Sequence, residues 1–161
     1  MSLVRNKVIL NLILVFSIFA ILAAYFIQYV LGHQPCTLCL IERIPYIFSI
    51  IIISMCLFTQ KFERVTLAIL SLTFFILALL SFYHFGIEQG FIKESLVCDL
   101  NSLNNELSRE AILNQLKEMS ISCKDVTFKI LGLSLATFNI FISLILSAIL
   151  TKLFLTYEKN K

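Results

Sequence analysis

Apolar residues fall into four long segments, and polar residues lie between these segments and at both ends of the chain. Residues 8–31 contain no charged side chain, and the other apolar segments cover about 41–59, 65–85 and 130–151. A helix of about 20 apolar residues crosses the roughly 30 Å hydrocarbon core of a bilayer. The pattern therefore predicts an all-α membrane protein, a four-transmembrane-helix bundle that forms a single integral membrane domain over residues 1–161.

The composition agrees with this class of protein. Hydrophobic residues make up 59% of the 161 residues and charged residues only 14%, which excludes an ordinary soluble domain. The net charge is only +3, and no basic patch with interleaved aromatic residues is present. We therefore expect no nucleic-acid partner, and we expect the lipid bilayer to surround the chain.

The predicted helix connections differ in length and in charge. Residues 60–64 join the second and third helices, whereas a polar loop of 44 residues, about 86–129, joins the third and fourth. The termini and the short connection carry seven of the 13 Lys and Arg residues and two acids, while the opposite side carries eight acids. The positive-inside rule therefore predicts cytoplasmic termini and an extracytoplasmic long loop.

A Cys-x-x-Cys motif, Cys36 and Cys39, stands just before the second predicted helix, and Arg43 follows four residues later. Two cysteines at this spacing can close a small disulfide, and a nearby cation stabilises a thiolate. A helix that has begun at Cys39 would place Arg43 one turn below it. Pro45 favours a helix start nearer Ile44, which leaves Arg43 in the connecting turn. Both arrangements put positive charge near Cys39 and predict a redox site at the membrane surface.

Other kinds of cysteine site fit the spacing less well. Attachment of a c-type haem requires histidine after the second cysteine, where Leu40 stands. A four-cysteine zinc site would join Cys36 and Cys39 to Cys98 and Cys123, but 24 residues separate the latter two. We therefore predict a redox relay without a resident metal ion. A membrane metal-binding or transport module that uses the four outward-facing cysteines is the alternative.

Cys98 and Cys123 both lie in the long loop, on the side where disulfides form and persist. A bridge between them is either a structural staple or one half of a relay that exchanges disulfides with the Cys-x-x-Cys pair. Cys56 lies inside the second predicted helix, where a thiolate would be costly, so we expect it only to pack.

Several other polar residues stand near the outer helix ends. His84, at the end of the third predicted helix, is interpreted either as a residue that tunes a bound electron acceptor or as a satisfied interfacial residue. Glu42 is expected to balance the charge of Arg43. Glu88 and Gln89 are expected to be solvated loop residues.

Four groups of residues, taken in order, resemble one known family. They are Pro35-Cys36-Thr37-Leu38-Cys39 with Glu42 and Arg43, Tyr83-His84-x-Gly86-x-Glu88-Gln89-Gly90, the two loop cysteines, and Leu131-Gly132-Leu133-Ser134-x-Ala136-x-Phe138-Asn139. This set resembles the bacterial inner-membrane disulfide bond formation protein B (DsbB) family, and the resemblance covers nearly the whole chain.

The resemblance implies oxidation of a periplasmic DsbA-like thioredoxin-fold protein, with transfer of the electrons to ubiquinone or menaquinone in the bacterial inner membrane. By position, Cys39 would engage the quinone with Arg43 beside it, and Cys36 would be its disulfide partner. The partner protein's thiolate would attack Cys98, and Cys123 would connect back to Cys36. All four cysteines would then be periplasmic, and such a protein sustains disulfide bond formation.

Overall fold

Helices dominate the computed structural model, which describes residues 2–59, 62–93, 129–130 and 133–159. The helices are α1 (Ser2–Tyr29), α2 (Thr37–Ile41), α3 (Ile44–Thr59), α4 (Glu63–Glu88) and α5 (Leu135–Lys159). Two short antiparallel strands, β1 (Lys129–Ile130) and β2 (Leu133–Ser134), precede α5.

Within the described residues, four helical segments are long and apolar enough to cross a membrane. They are Lys7–Tyr29, Thr37–Thr59, Glu63–Glu88 and Leu135–Thr156. Many large apolar side chains on these segments are exposed, among them Leu12, Phe75 and Phe141, as expected where helices face lipid. The predicted all-α architecture with four membrane-spanning helices is confirmed.

The second spanning segment is interrupted by a turn. Helix α2 ends at Ile41, Glu42 and Arg43 form the turn, and α3 begins at Ile44. Pro45 lies in the first turn of α3, where its missing N–H removes no intrahelical hydrogen bond. The sequence-based alternative that left Arg43 in a connecting turn is therefore the one the structure adopts.

Two helix boundaries differ from the apolar segments. Helix α5 begins at Leu135 instead of residue 130, because residues 129–130 pair with 133–134 as strands and Ser134 Oγ accepts the backbone N–H of Thr137. Helix α4 continues to Glu88 instead of ending at residue 85. Apolarity marks where a helix can face lipid, whereas local hydrogen bonds set where the helix ends.

Glycines close the end of α4. Gly90 has a φ of +76°, a backbone conformation that glycine adopts without strain, and the chain turns back after it. The backbone N–H groups of Phe91 and Ile92 both donate to the Gly86 carbonyl, at 2.9 and 3.1 Å. A Cβ on Gly86 would meet Ile92 Cδ1 at 2.6 Å, so the close return of the chain requires glycine there.

The helices pack through apolar side chains and buried hydroxyl groups. The main core cluster contains Leu10, Ile13, Tyr46, Ile53, Cys56, Leu67, Leu70, Phe74, Leu77, Leu150 and Leu153. Hydroxyls join α4 to α5 at Ser71, whose carbonyl accepts from Ser147 Oγ at 3.2 Å and whose Oγ lies 2.6 Å from Thr151 Oγ1. Small side chains of this kind allow spanning helices to approach closely.

Replacement of Phe74 by alanine tests this core. Phe74 is fully buried and meets the Tyr46 ring edge-on, with the ring centroids 5.9 Å apart. Phe74→Ala should lower the free energy of unfolding in detergent by about 3 kcal/mol or more, because it leaves a cavity. The matched control is Phe75→Ala on the exposed side of α4. Equal losses in both variants would contradict the assignment of Phe74 to the core.

Candidate functional site

The two cysteines of the Cys-x-x-Cys motif are held at the start of α2. Cys36 is the N-cap residue, and its Sγ accepts the backbone N–H of Cys39 at 3.3 Å. Leu38, between them, is buried and packs with Cys36 and Ile87, which fixes the short helix against α4. The two sulfur atoms lie 2.7 Å apart, so formation of a disulfide bond of about 2.05 Å needs less than about 1 Å of movement.

The two thiols have different surroundings. Cys36 is buried, whereas Cys39 is partly exposed, and both line the same cavity. The hydrogen bond with Cys39 and burial raise the pKa of the Cys36 thiol.

His84 connects the cysteines to a buried carboxylate. Its Nε2 lies 3.5 Å from Cys36 Sγ, and its Nδ1 lies 2.9 Å from Glu42 Oε1. His84 is 2% exposed and Glu42 9% exposed, so the contact is shielded from solvent. The expectation that Glu42 balances Arg43 is wrong, because the turn after α2 directs the Glu42 carboxylate toward α4 and α5.

Asn139 completes this contact from α5. Its Nδ2 donates to Glu42 Oε2 and to Ser81 Oγ, both at 2.9 Å, and its Oδ1 accepts from the Tyr46 hydroxyl at 2.5 Å. Side chains from α3, the α2–α3 turn, α4 and α5 thus meet at one amide. Asn139 belongs to one of the sequence motifs, but its bridging role depends on helix packing that spacing does not reveal.

Glu88 is part of the same site. Its side chain is 6% exposed, and its Oε1 lies 3.7 Å from His84 Nε2. Its Oε2 is buried without a hydrogen-bond partner among the described residues. The expectation of a solvated loop residue is wrong for Glu88, because α4 continues and places positions 84 and 88 on one face. Gln89, one residue later, is exposed as expected.

Arg43 points away from Glu42 and toward α1. Its Nη1 donates to Gln28 Oε1 at 2.7 Å, and its guanidinium carbon lies 5.2 Å from the Tyr25 ring centroid, within cation–π range. Sequence reasoning missed both partners. The signal for Gln28 was available, since it is a strongly polar side chain inside the first apolar segment.

A cavity of about 330 Å³ joins these groups. Its apolar wall comes mainly from α1 and α5, with Phe16, Ile27, Phe138 and Ile142 among the lining residues. Its polar side chains include Cys36, Cys39, Arg43, His84 and Glu88. An apolar cleft with a few convergent polar groups is the usual form of a small-molecule site.

The structure brings together four of the six site residues expected from the sequence, namely Cys36, Cys39, Arg43 and His84, around one cavity. Cys98 and Cys123 lie outside the described residues. Cys56 is buried in the main core, apart from the cavity lining.

The fold and the site define a class, that of multi-pass membrane proteins with a dithiol at one end of the helix bundle. Within that class the chain belongs to the DsbB family, because the family model "Disulfide bond formation protein DsbB" matches residues 6–153. The chain is also similar to "Uncharacterized protein RP370" of Rickettsia prowazekii (strain Madrid E), with 33% identity over 159 residues, 97% of this chain and 91% of the relative. No solved structure matches the chain significantly.

Family membership makes the protein a membrane protein of disulfide bond formation with an oxidoreductase role. The resemblance predicted from the sequence is confirmed.

Replacement of Asn139 tests the buried polar contact. Asn139→Leu should lower the free energy of unfolding in detergent by about 2 kcal/mol or more, because it leaves Glu42 Oε2 and the Tyr46 hydroxyl without their amide partner. Phe141→Leu, on the exposed side of the same helix, is the control and should be nearly neutral. A loss no larger in Asn139→Leu than in the control would show that the contact does not stabilise the fold.

Proposed function

We propose that the protein is a membrane dithiol:quinone oxidoreductase. It reoxidises a periplasmic DsbA-like thioredoxin-fold protein and passes the electrons to ubiquinone or menaquinone in the bacterial inner membrane. The observation that carries this proposal is the position of the Cys36–Cys39 pair at an apolar cavity that also contains the Arg43 guanidinium. Membership of the DsbB family supports it.

The cavity suits a quinone on size and chemistry. Apolar side chains of α1 and α5 form a wall for a ring, and quinones dissolve in the bilayer that the exposed apolar helix faces imply. Bound quinone would accept the two electrons and two protons released as Cys36 and Cys39 form their disulfide. Cys39, the more exposed of the two thiols, is the residue that would face the ring.

Arg43 and His84 would bind and orient the acceptor. The contacts with Gln28 and Tyr25 hold the Arg43 guanidinium at the cavity, where it would polarise a carbonyl group of the bound quinone. The contact with Glu42 holds the His84 ring, so that Nε2 faces Cys36 and the cavity. Both residues act through position and charge within an apolar site, where electrostatic interactions are stronger than in water.

Electrons from the dithiol partner would enter the protein through the second cysteine pair, Cys98 and Cys123. A soluble thioredoxin-fold protein cannot reach a thiol at the end of a lipid-facing cavity, so a second pair on a loop must receive its electrons. In this proposal the partner's thiolate attacks Cys98 and breaks the Cys98–Cys123 disulfide, and the released Cys123 thiolate attacks Cys36 and breaks the Cys36–Cys39 disulfide, with Cys39 as the leaving thiolate. Each step exchanges one disulfide for another through a mixed disulfide. The termini are then cytoplasmic and all four cysteines periplasmic.

Replacement of Cys39 by serine tests the proposed electron exit. Quinone absorbance is followed in detergent with purified protein, ubiquinone or menaquinone, and a reduced thioredoxin-fold dithiol partner. The wild type should bleach the quinone in a partner-dependent manner, and Cys39→Ser should not. Cys56→Ser, a cysteine in the main core, is the matched control and should retain nearly full turnover. Equal turnover in Cys39→Ser and the wild type would refute the assignment.

Replacement of Arg43 tests the proposed acceptor contact. Arg43→Ala should raise the KM for quinone by about 5- to 150-fold, because it removes a charge-assisted contact worth about 1 to 3 kcal/mol. The KM of Arg43→Lys should fall between those of the wild type and Arg43→Ala, since lysine keeps the charge but lacks the planar guanidinium. Arg64, whose guanidinium carbon lies 5.5 Å from the Phe154 ring centroid at the opposite end of α4, supplies the control. A KM that rises equally in Arg64→Ala would contradict a specific role for Arg43.

A further inference from the structure

Three potential metal ligands meet at the dithiol site. Cys36 Sγ, Cys39 Sγ and His84 Nε2 all lie within 4.8 Å of one another. Around a tetrahedral zinc ion, with bonds of about 2.0–2.3 Å, ligand atoms lie about 3.5–3.8 Å apart. The separation of 3.5 Å between Cys36 Sγ and His84 Nε2 already has this value. The two sulfur atoms, 2.7 Å apart, would need to separate by about 1 Å.

The surroundings of His84 match those of a metal-binding histidine. Its Nδ1 lies 2.9 Å from the Glu42 carboxylate, which leaves Nε2 directed at the cysteines. Histidines that bind metals usually donate their other ring N–H to a carboxylate, which fixes the ring and raises its basicity. Glu42 is itself held by Asn139, so the orientation of the ring is supported from α5.

Glu88 lies outside the group of three ligand atoms within 4.8 Å of one another, so its side chain must move toward the sulfur atoms to supply a fourth ligand. It also gives an independent indication that a cation binds. Its carboxylate lies 3.7 Å from the same Nε2, and its Oε2 is buried without a hydrogen-bond partner among the described side chains. A buried carboxylate oxygen without a partner is costly, and a bound cation would remove that cost. Two thiolates, an imidazole and a carboxylate form a ligand set that suits zinc.

We propose that the reduced protein binds one Zn²⁺ ion through Cys36, Cys39, His84 and Glu88. The thiol protons are released as the metal binds, and no electrons are transferred. The disulfide form has no thiolates to offer, so the oxidised protein binds no metal and the site is specific for the reduced state. Bound zinc also prevents the cysteines from forming a disulfide. Metal binding is independent of the proposed function. Only the inhibition of turnover by the metal rests on the proposed function.

Cobalt is the spectroscopic probe for this site. The full chain carrying Cys98→Ser and Cys123→Ser is reduced in detergent and titrated with Co²⁺ without quinone or partner protein. We expect one ion per chain, with tetrahedral d–d absorption and a thiolate-to-cobalt charge-transfer band, both abolished by added Zn²⁺. The oxidised protein should show neither signal. Absence of the thiolate band from the reduced protein, or equal binding by the oxidised protein, would overturn the proposal.

Variants assign the ligands. Glu88→Gln should weaken Co²⁺ binding by about tenfold or more, and Glu42→Gln by about 10- to 100-fold through the His84 ring. Gln89→Ala, at the exposed neighbouring position, should bind Co²⁺ like the parent and serves as the control for Glu88. Unchanged affinity in Glu88→Gln would refute the four-ligand site. Retention of Co²⁺ by Cys36→Ser/Cys39→Ser with the loop cysteines intact would show a site on the loop instead.

A chemical oxidant separates this proposal from the proposed function. Zn²⁺ should slow formation of the Cys36–Cys39 disulfide by diamide, measured by alkylation of the remaining thiols, and a chelator should restore the rate. If zinc has no effect on this rate, the proposed inhibition is wrong. Failure of the zinc-free protein to reduce quinone would instead refute the proposed oxidoreductase while leaving the metal site intact.

Discussion

The buried contact between Glu42 and His84 is the interaction on which the rest of the site depends. A carboxylate and an imidazole removed from water are costly unless their polar atoms are satisfied, and here each has defined partners. Asn139 links Glu42 to α5, and His84 links Glu42 to the dithiol. Helix packing and the chemistry of the cysteines are therefore coupled, because a rotation of α4 would move the imidazole away from Cys36 and a rotation of α5 would move Asn139 away from Glu42.

The turn between α2 and α3 explains how adjacent residues can serve two sides of the cavity. In a continuous helix, Glu42 and Arg43 would project about 100° apart from one cylinder. The interruption at these two residues directs the carboxylate inward to α4 and α5 and the guanidinium outward to α1. Cys36 is the N-cap of the short helix α2, so the dithiol stands at the start of a helix and beside the cavity.

Local signals in the sequence predict much of this structure, whereas contacts between helices could not be predicted from the sequence. The four spanning helices follow from apolar segments, and the dithiol with its nearby arginine follows from spacing within eight residues. Glu88 shows the limit of prediction from local spacing. Its i, i+4 relation to His84 is visible in the sequence, but its burial depends on how α4 packs. The start of α5 at Leu135 depends on strand pairing between short segments whose apolarity resembles that of the helix itself.

The glycine turn after α4 has a consequence for rates. Because Phe91 and Ile92 bond back to Gly86, the described part of the loop begins at the end of α4, the helix that carries His84. In the proposed relay, a loop thiol would react with the Cys36–Cys39 pair as an intramolecular reagent, because both belong to one chain. In that proposed relay, disulfide exchange between the loop and the Cys36–Cys39 pair has a rate independent of protein concentration, and only the encounter with the soluble partner is bimolecular.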